Sequence, residues 1–147
     1  MRISVVNGPN LRLLGQREPH VYGTETLDRI NSELEEEAQT LGVTLEFYQS
    51  NHEGEILDYL EEVRERVQGI LINPAGLTHT SVSLRDALTA VALPVVEVHL
   101  SNPAAREEFR QRSFVAPVAL GTVAGFGKKS YLFGLRGLVA HLQTIAE

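Results

Sequence analysis

Five short runs of apolar, largely β-branched residues recur along this chain, and between them the apolar residues fall at helical spacing. That alternation limits the fold more than any other feature. Residues 3–6, 44–48, 69–72, 95–100 and 118–123 have strand length and strand composition. Leu27, Ile30, Leu34, Ala38 and Leu41 form one helical stripe, and Ile56, Leu57, Leu60, Val63 and Val67 a second. Leu84, Ala87, Leu88 and Val91 form a third; Leu132, Leu135, Leu138, Val139, Leu142 and Ile145 form the last. The fourth connection is less regular, with a turn or two of helix over 106–111. Strict β/α alternation with short connections implies a parallel sheet with right-handed crossovers and a helical layer on each face.

Five such units predict an α/β three-layer sandwich with a five-stranded parallel sheet in the flavodoxin-like order 2-1-3-4-5. In that order the topological switch lies between strands one and three, where open α/β sheets bind ligands. The sequence shows no internal repeat, low-complexity tract or linker, so residues 1–147 are expected to form a single domain. A chain of this length buries roughly 70% of its unfolded surface in one core. With no Cys there is no disulfide framework, no zinc–thiolate site and no thiol nucleophile, which suits a reducing, cytoplasmic setting. A formal net charge of −6 argues against nucleic acid as a partner, since phosphate neutralisation needs a basic face. The apolar run at the N-terminus is too short for a signal peptide, and no segment reaches membrane-spanning length.

Chemistry-bearing residues gather at one edge of the expected sheet. The segment from Asn73 to Asp86 follows strand three and carries an amide, His79 between two Thr residues, and several hydroxyls. A loop needed only to turn the chain could be made of Gly, Pro and Asp. Residues 8–25 make an unusually long first βα connection, a candidate lid bearing Asn10, Arg17, Glu18 and Tyr22 with Gly15 and Gly23 as hinges. Glu97, His99 and Ser101 alternate along strand four and share a face, and Arg106 and Arg110 share a side if their segment is helical. Each has a bland reading alone: a structural Glu–His pair, a solvated charged face, Asn residues tying down turns. Independent bland explanations would scatter these residues, whereas the topology brings them together.

Other chemistries fit less well. The stretch 121–130 resembles a phosphate loop, but its first Gly and the Ser after the lysines are misplaced, and 125–130 misses the third Gly of a dinucleotide fingerprint. Asn7, Asn10 and Asn73 stand where a phosphoacceptor domain needs acids for Mg²⁺. No His pair has ligand spacing with a supporting carboxylate cluster, so no metal is expected. The only lysines, Lys128 and Lys129, sit in a loop unsuited to Schiff-base chemistry. Proton transfer among Tyr, His, Arg and amides remains. A non-catalytic module binding a small anion or nucleotide in the same cleft is the alternative, although binding alone does not require the pair Arg17 and Tyr22.

Asn7-Gly-Pro-Asn-Leu11, Gly15-Gln-Arg-Glu-Pro19, Tyr22-Gly23, the 73–86 block, Glu97-Val-His-Leu-Ser-Asn102 and Ala105-Arg-Glu-Glu-Phe-Arg110 together resemble type II 3-dehydroquinate dehydratase. The likeness runs in order from the first strand to the last helix. It implies a hydro-lyase that reversibly converts 3-dehydroquinate to 3-dehydroshikimate through an enolate, without a cofactor, in the shikimate pathway or quinate breakdown. By this resemblance Tyr22 is the base, Arg17 favours its phenolate with Arg110 assisting, and Asn10 holds a water against the enolate. His99 is the general acid and Glu97 orients it. Asn73, His79, Ser101, Arg106 and the backbone after Leu100 hold the substrate. The resemblance also implies a homododecamer built from trimers, in which Asp86 reaches a neighbour's site. One departure is Ser130, where Gly is expected before Tyr131.

Overall fold

The computed structural model describes residues 1–16, 18–22 and 24–147, with Tyr22 described by its backbone alone. Arg17 and Gly23 of the expected lid therefore lie outside the described residues.

The five apolar runs form β1 (Arg2–Asn7), β2 (Thr44–Gln49), β3 (Gly69–Asn73), β4 (Val95–His99) and β5 (Gly121–Ala124), all parallel and in the order β2-β1-β3-β4-β5. Val5 pairs with Phe47 on one side and Leu71 on the other, and Asn7 lies opposite both Gln49 and Asn73. The carboxyl ends of β1 and β3 therefore finish side by side, as the order demands. A Cβ on Gly8 would meet the Pro74 carbonyl oxygen at 2.4 Å, so the absence of a side chain there lets the two loops leave in contact.

Between the strands run the short α1 (Pro19–Tyr22), α2 (Leu27–Leu41), α3 (Glu53–Val63) and α4 (Val82–Val91), and α5 (Lys129–Ala146) follows β5. Thr26 caps α2 by accepting from Arg29 N–H, and Ser81 caps α4 by accepting from Leu84 N–H, satisfying donors that have no partner within a first turn. Side-chain alternation divides the core: Ile3, Val5, Leu71, Val96 and Val98 face α2 and α5, whereas Val6, Ile70, Ile72 and Val95 face α3 and α4.

The structure departs from the sequence reading at several places: α3 stops at Val63, so Val67 lies beyond the helix, and β4 stops at His99, one residue short of Leu100. Strand five begins at Gly121, because residues 116–118 form a 3-10 turn containing Pro117, which has no N–H to give a ladder. Ile145 is exposed although it continues the last stripe. α5 has 18 residues, about 27 Å of helix, laid against strands of about 17 Å, so its end overhangs the sheet. A further contact on α5 was not legible: a Cβ on Gly134 would stand 2.6 Å from Val98 Cγ1 and 2.9 Å from Leu71 Cδ1. The helix thus sits hard against β3 and β4 and carries Tyr131 into the sheet's carboxyl end, where it is fully buried. Among the described residues no helix is long and apolar enough to cross a membrane.

Candidate active site

The turns that follow β1, β3 and β4 enclose a cavity of about 120 Å³. Asn10 borders it from the first turn, and Asn73 and His79 from the third strand and its loop. His99, Leu100, Ser101, Arg106 and Arg110 close the remaining side. Asn10 stands at a φ of 71°, a left-handed position that Asn tolerates better than most residues, and its N–H is held by Asn51 Oδ1 at 2.9 Å.

Glu97 and His99 are buried polar residues at the end of a central strand. Glu97 Oε2 lies 2.5 Å from His99 Nε2, and Glu97 Oε1 accepts from Ser113 Oγ at 2.8 Å. The Ser113 oxygen also accepts from Val115 N–H at 3.1 Å and Ala116 N–H at 2.9 Å. Backbone N–H groups can only donate, so the serine hydrogen goes to Glu97 and both carboxylate oxygens are engaged. His99 Nε2 then donates to the carboxylate, and Nδ1 is the ring atom left to exchange a proton with a ligand. Ser113 was missed in the sequence reading because it lies in an irregular stretch. Its only signal is a Ser placed a few residues before a Pro-containing turn.

His79 Nδ1 lies 2.7 Å from the Arg112 carbonyl oxygen, which makes Nδ1 the protonated nitrogen and Nε2 an acceptor. Burial holds His79 below the ordinary histidine range, opposed by the Arg112 hydrogen bond, so the neutral ring is favoured.

Arg106 and Arg110 share the cleft for a different reason than helical spacing. Their segment is two 3-10 turns, Pro103–Ala105 and Glu108–Arg110, with Arg106 extended between them. Glu107 bridges the pair, 2.7 Å from Arg110 Nε and 3.7 Å from Arg106 Nε. Arg106 Nη1 also donates to Ser101 Oγ at 3.3 Å. Ser101 itself lies in the turn beyond β4 and not within the strand. A hydrogen bond from Arg110 holds the Glu107 carboxyl below its usual range.

A second cavity of about 460 Å³ adjoins the first at Leu100, Ser101 and Arg106 and is bordered by His20 and Val21 of α1. The stem carrying Tyr22 therefore flanks the cleft. The 121–130 loop is no phosphate cradle: Gly127 N–H donates to Leu100 O at 2.9 Å, and Lys128 Nζ contacts Glu33 at 2.8 Å and Glu25 at 3.4 Å. Ser130 is fully buried and its Oγ accepts from Phe126 N–H at 3.0 Å, so the departure from Gly closes this turn. Asp86 is exposed on α4, off that helix's buried face, and does not border the cleft of its own chain. Among the described residues no group of three or more His, Cys, Asp or Glu could hold a metal ion.

The family model for class II dehydroquinase matches residues 1–139. The chain belongs to this family. It is 56% identical over 142 residues to the 3-dehydroquinate dehydratase of Acaryochloris marina, covering 97% of this chain and 95% of that protein. With the 3-dehydroquinate dehydratase of a Nostoc species the identity is 57% over 143 residues, covering 97% of each. The crystal structure of type II dehydroquinase from Butyrivibrio crossotus superposes with a TM-score of 0.92 at 42% identity, covering 94% of this chain and 97% of that one. That of type II dehydroquinase from Propionibacterium acnes gives 0.90 at 40% identity, with 95% and 96% covered. Such coverage on both sides means that the class II dehydroquinase fold is present from first strand to last helix.

Proposed function

We propose that the cleft between the ends of β1, β3 and β4 is the site at which this class II dehydroquinase performs its reaction. The enzyme is a hydro-lyase of the shikimate pathway that reversibly removes water from 3-dehydroquinate to give 3-dehydroshikimate. The Tyr22 phenolate takes a proton from the carbon beside the ketone, and the electron pair forms an enolate. Arg17 favours the phenolate, since a nearby cation lowers a pKa that is ordinarily about 10. A water held by Asn10 hydrogen-bonds the enolate oxygen, stabilising charge that exists only during reaction. As the enolate collapses, the carbon–oxygen bond to the leaving hydroxyl breaks and His99 Nδ1 supplies its proton, so one water departs. Glu97 orients the ring. The substrate proton on Tyr22 then returns to solvent and His99 is reprotonated.

The observation that carries this reading is the Glu97–His99 pair, buried at the cleft wall with both carboxylate oxygens engaged. A binding module has no need to aim one ring nitrogen in this way. Around it, neutral His79 accepts from a substrate hydroxyl, Asn73 and Ser101 bind others, and Arg106 takes the carboxylate, a group that guanidinium geometry matches, while Arg110 assists Arg17. The backbone after Leu100 adds donors. Asp86 completes a neighbouring site in a dodecamer of trimers, and the protein works in the cytoplasm.

Adding 3-dehydroquinate should generate the ultraviolet absorbance of a conjugated enone. His99→Gln should lower turnover by roughly 10²- to 10⁴-fold with substrate still bound. Turnover that survives this substitution in a folded protein would remove His99 from the acid role. Substrate binding without enone formation by the unmodified protein would leave only the binding-module reading.

A further inference from the structure

Asn73, Tyr131 and Asn7 form a hydrogen-bonded row in the interior. All three are buried, with Tyr131 at 0% exposure. Asn73 Oδ1 accepts from Ala75 N–H at 3.1 Å, and Asn73 Nδ2 lies 2.9 Å from the Tyr131 hydroxyl. The Tyr131 hydroxyl lies 2.6 Å from Asn7 Oδ1. A single backbone group sets the direction of the whole row. Ala75 N–H can only donate, so the Asn73 atom facing it is the oxygen and the atom facing Tyr131 is the amide nitrogen. That nitrogen can only donate, so the tyrosine oxygen accepts there and sends its one hydrogen to Asn7. Asn73 Nδ2 keeps a second hydrogen, and Asn73 borders the catalytic cleft.

Burial pushes the Tyr131 phenol far above its ordinary value, with the Asn73 hydrogen bond opposing, so it is not a proton carrier at working pH. Its hydroxyl has a different use. We propose that Tyr131, held by Asn7, is a positioning residue that fixes the Asn73 amide as a hydrogen-bond donor toward a substrate oxygen. The residue comes from α5, which packs on the sheet face that Leu71 and Val98 present, and reaches the row because Gly134 lets that helix approach β3 and β4 so closely. Without the tyrosine oxygen the Asn73 nitrogen loses its interior acceptor among the described residues, and the amide can turn away from the cleft.

The inference rests on the reading of Asn73 as a substrate-binding residue, and the experiment separates the two. Steady-state constants and melting curves are compared for wild type, Asn73→Ala, Tyr131→Phe, Asn7→Ala and the Asn73→Ala/Tyr131→Phe double variant. One substrate hydrogen bond corresponds to roughly a tenfold change, and uniform binding appears in KM. Asn73→Ala is expected to raise KM about tenfold, and Tyr131→Phe about three- to tenfold with kcat within about threefold of wild type. The double variant should have the KM of Asn73→Ala alone, because the tyrosine acts only through that amide. Asn7→Ala removes the acceptor for the tyrosine hydrogen without changing α5 and should raise KM in the same way, which keeps the test available if Tyr131→Phe does not fold. Wild-type KM in folded Tyr131→Phe or Asn7→Ala with only a lower melting temperature would overturn the proposal, as would effects that multiply in the double variant. Wild-type KM in Asn73→Ala would remove Asn73 from substrate binding and take the proposal with it.

Discussion

Alkaline titration of the four phenols offers a direct reading of the proposed base. The chain has only Tyr22, Tyr48, Tyr59 and Tyr131. Burial and the Glu55 carboxylate push Tyr48 up, and burial raises Tyr59 to about 12 against the hydrogen bond from Ser4. Tyr131 is raised further still by burial. Three of the four phenols are therefore raised above the ordinary value, and the earliest ionisation is left to Tyr22. Its step should carry about one quarter of the total phenolate absorbance, one residue in four. On the proposed role of Arg17 that step should fall below the ordinary value of about 10, and Arg17→Ala should move it back. The ascending limb of kcat/KM should fall at the same pH, because the free enzyme's base must be ionised to act. The titration has to stop near pH 10. A phenol raised from 10 to about 12 on folding contributes stability that is present below pH 10 and lost as pH rises to 12, here about 3 kcal/mol from Tyr59. Tyr22→Phe should abolish the early step and most turnover while costing little stability. An early step that persists in Tyr22→Phe, or none below pH 10 in an active enzyme, would refute the assignment of the base.

Ser113→Ala deletes a hydrogen bond to a carboxylate and leaves two backbone N–H groups without their acceptor. It should cost about 2 kcal/mol, a fall of roughly 4–8 °C in melting temperature, and lower kcat about tenfold because Glu97 no longer holds His99; Ser113→Thr should restore part of kcat. An unchanged kcat beside the lower melting temperature would confine Ser113 to stability. His79 has a folded pKa below its unfolded value near 6.5, so its contribution to stability is present above that pH and is lost as pH falls through the lower value. Stability curves in mild acid should therefore flatten in His79→Gln, and identical acid limbs would count against a neutral, buried His79. Gly134→Ala sets a helix-propensity gain of about 1 kcal/mol against overpacking of about 1–3 kcal/mol on Val98 and Leu71. The melting temperature should fall, and a rise would show that α5 has room to yield.

The fold was legible where one physical signal acted alone. Ile70, Leu71 and Ile72 alternate between two buried layers, so β3 announces itself as a central strand, and the α2 stripe from Leu27 to Ala38 is buried as its spacing requires. Legibility ended where signals competed. Val118 has a strand former's side chain, but Pro117 beside it dictates a turn. Ile145 keeps helical phase after the surface that its stripe covered has run out. In the site, Asn73, His79 and His99 were readable because parallel topology sends every strand's carboxyl end to one edge. Arg106 and Arg110 reached the same cleft through Glu107 and two tight turns, an arrangement that no periodicity encodes.

Ser113 and Tyr131 were illegible for a deeper reason. Each belongs to a side-chain row whose direction is imposed by main-chain N–H groups: Val115 and Ala116 for Ser113–Glu97–His99, and Ala75 for Asn73–Tyr131–Asn7. A hydroxyl can donate or accept, and an amide can be turned either way, so the residue types alone leave the polarity of such a row undetermined. The polarity is decided only when a turn brings an obligate donor to one end. Ala75 does this from a left-handed conformation, φ 53°, which puts its N–H on the Asn73 side chain. Both rows terminate at the cleft, one ending in an imidazole with a ring nitrogen left for proton exchange and the other in an amide with a hydrogen to give. What the site offers a ligand is thus fixed by the backbone of two turns, at 73–75 and 113–116, and a substitution that reshapes either turn acts on the chemistry through side chains it never touches.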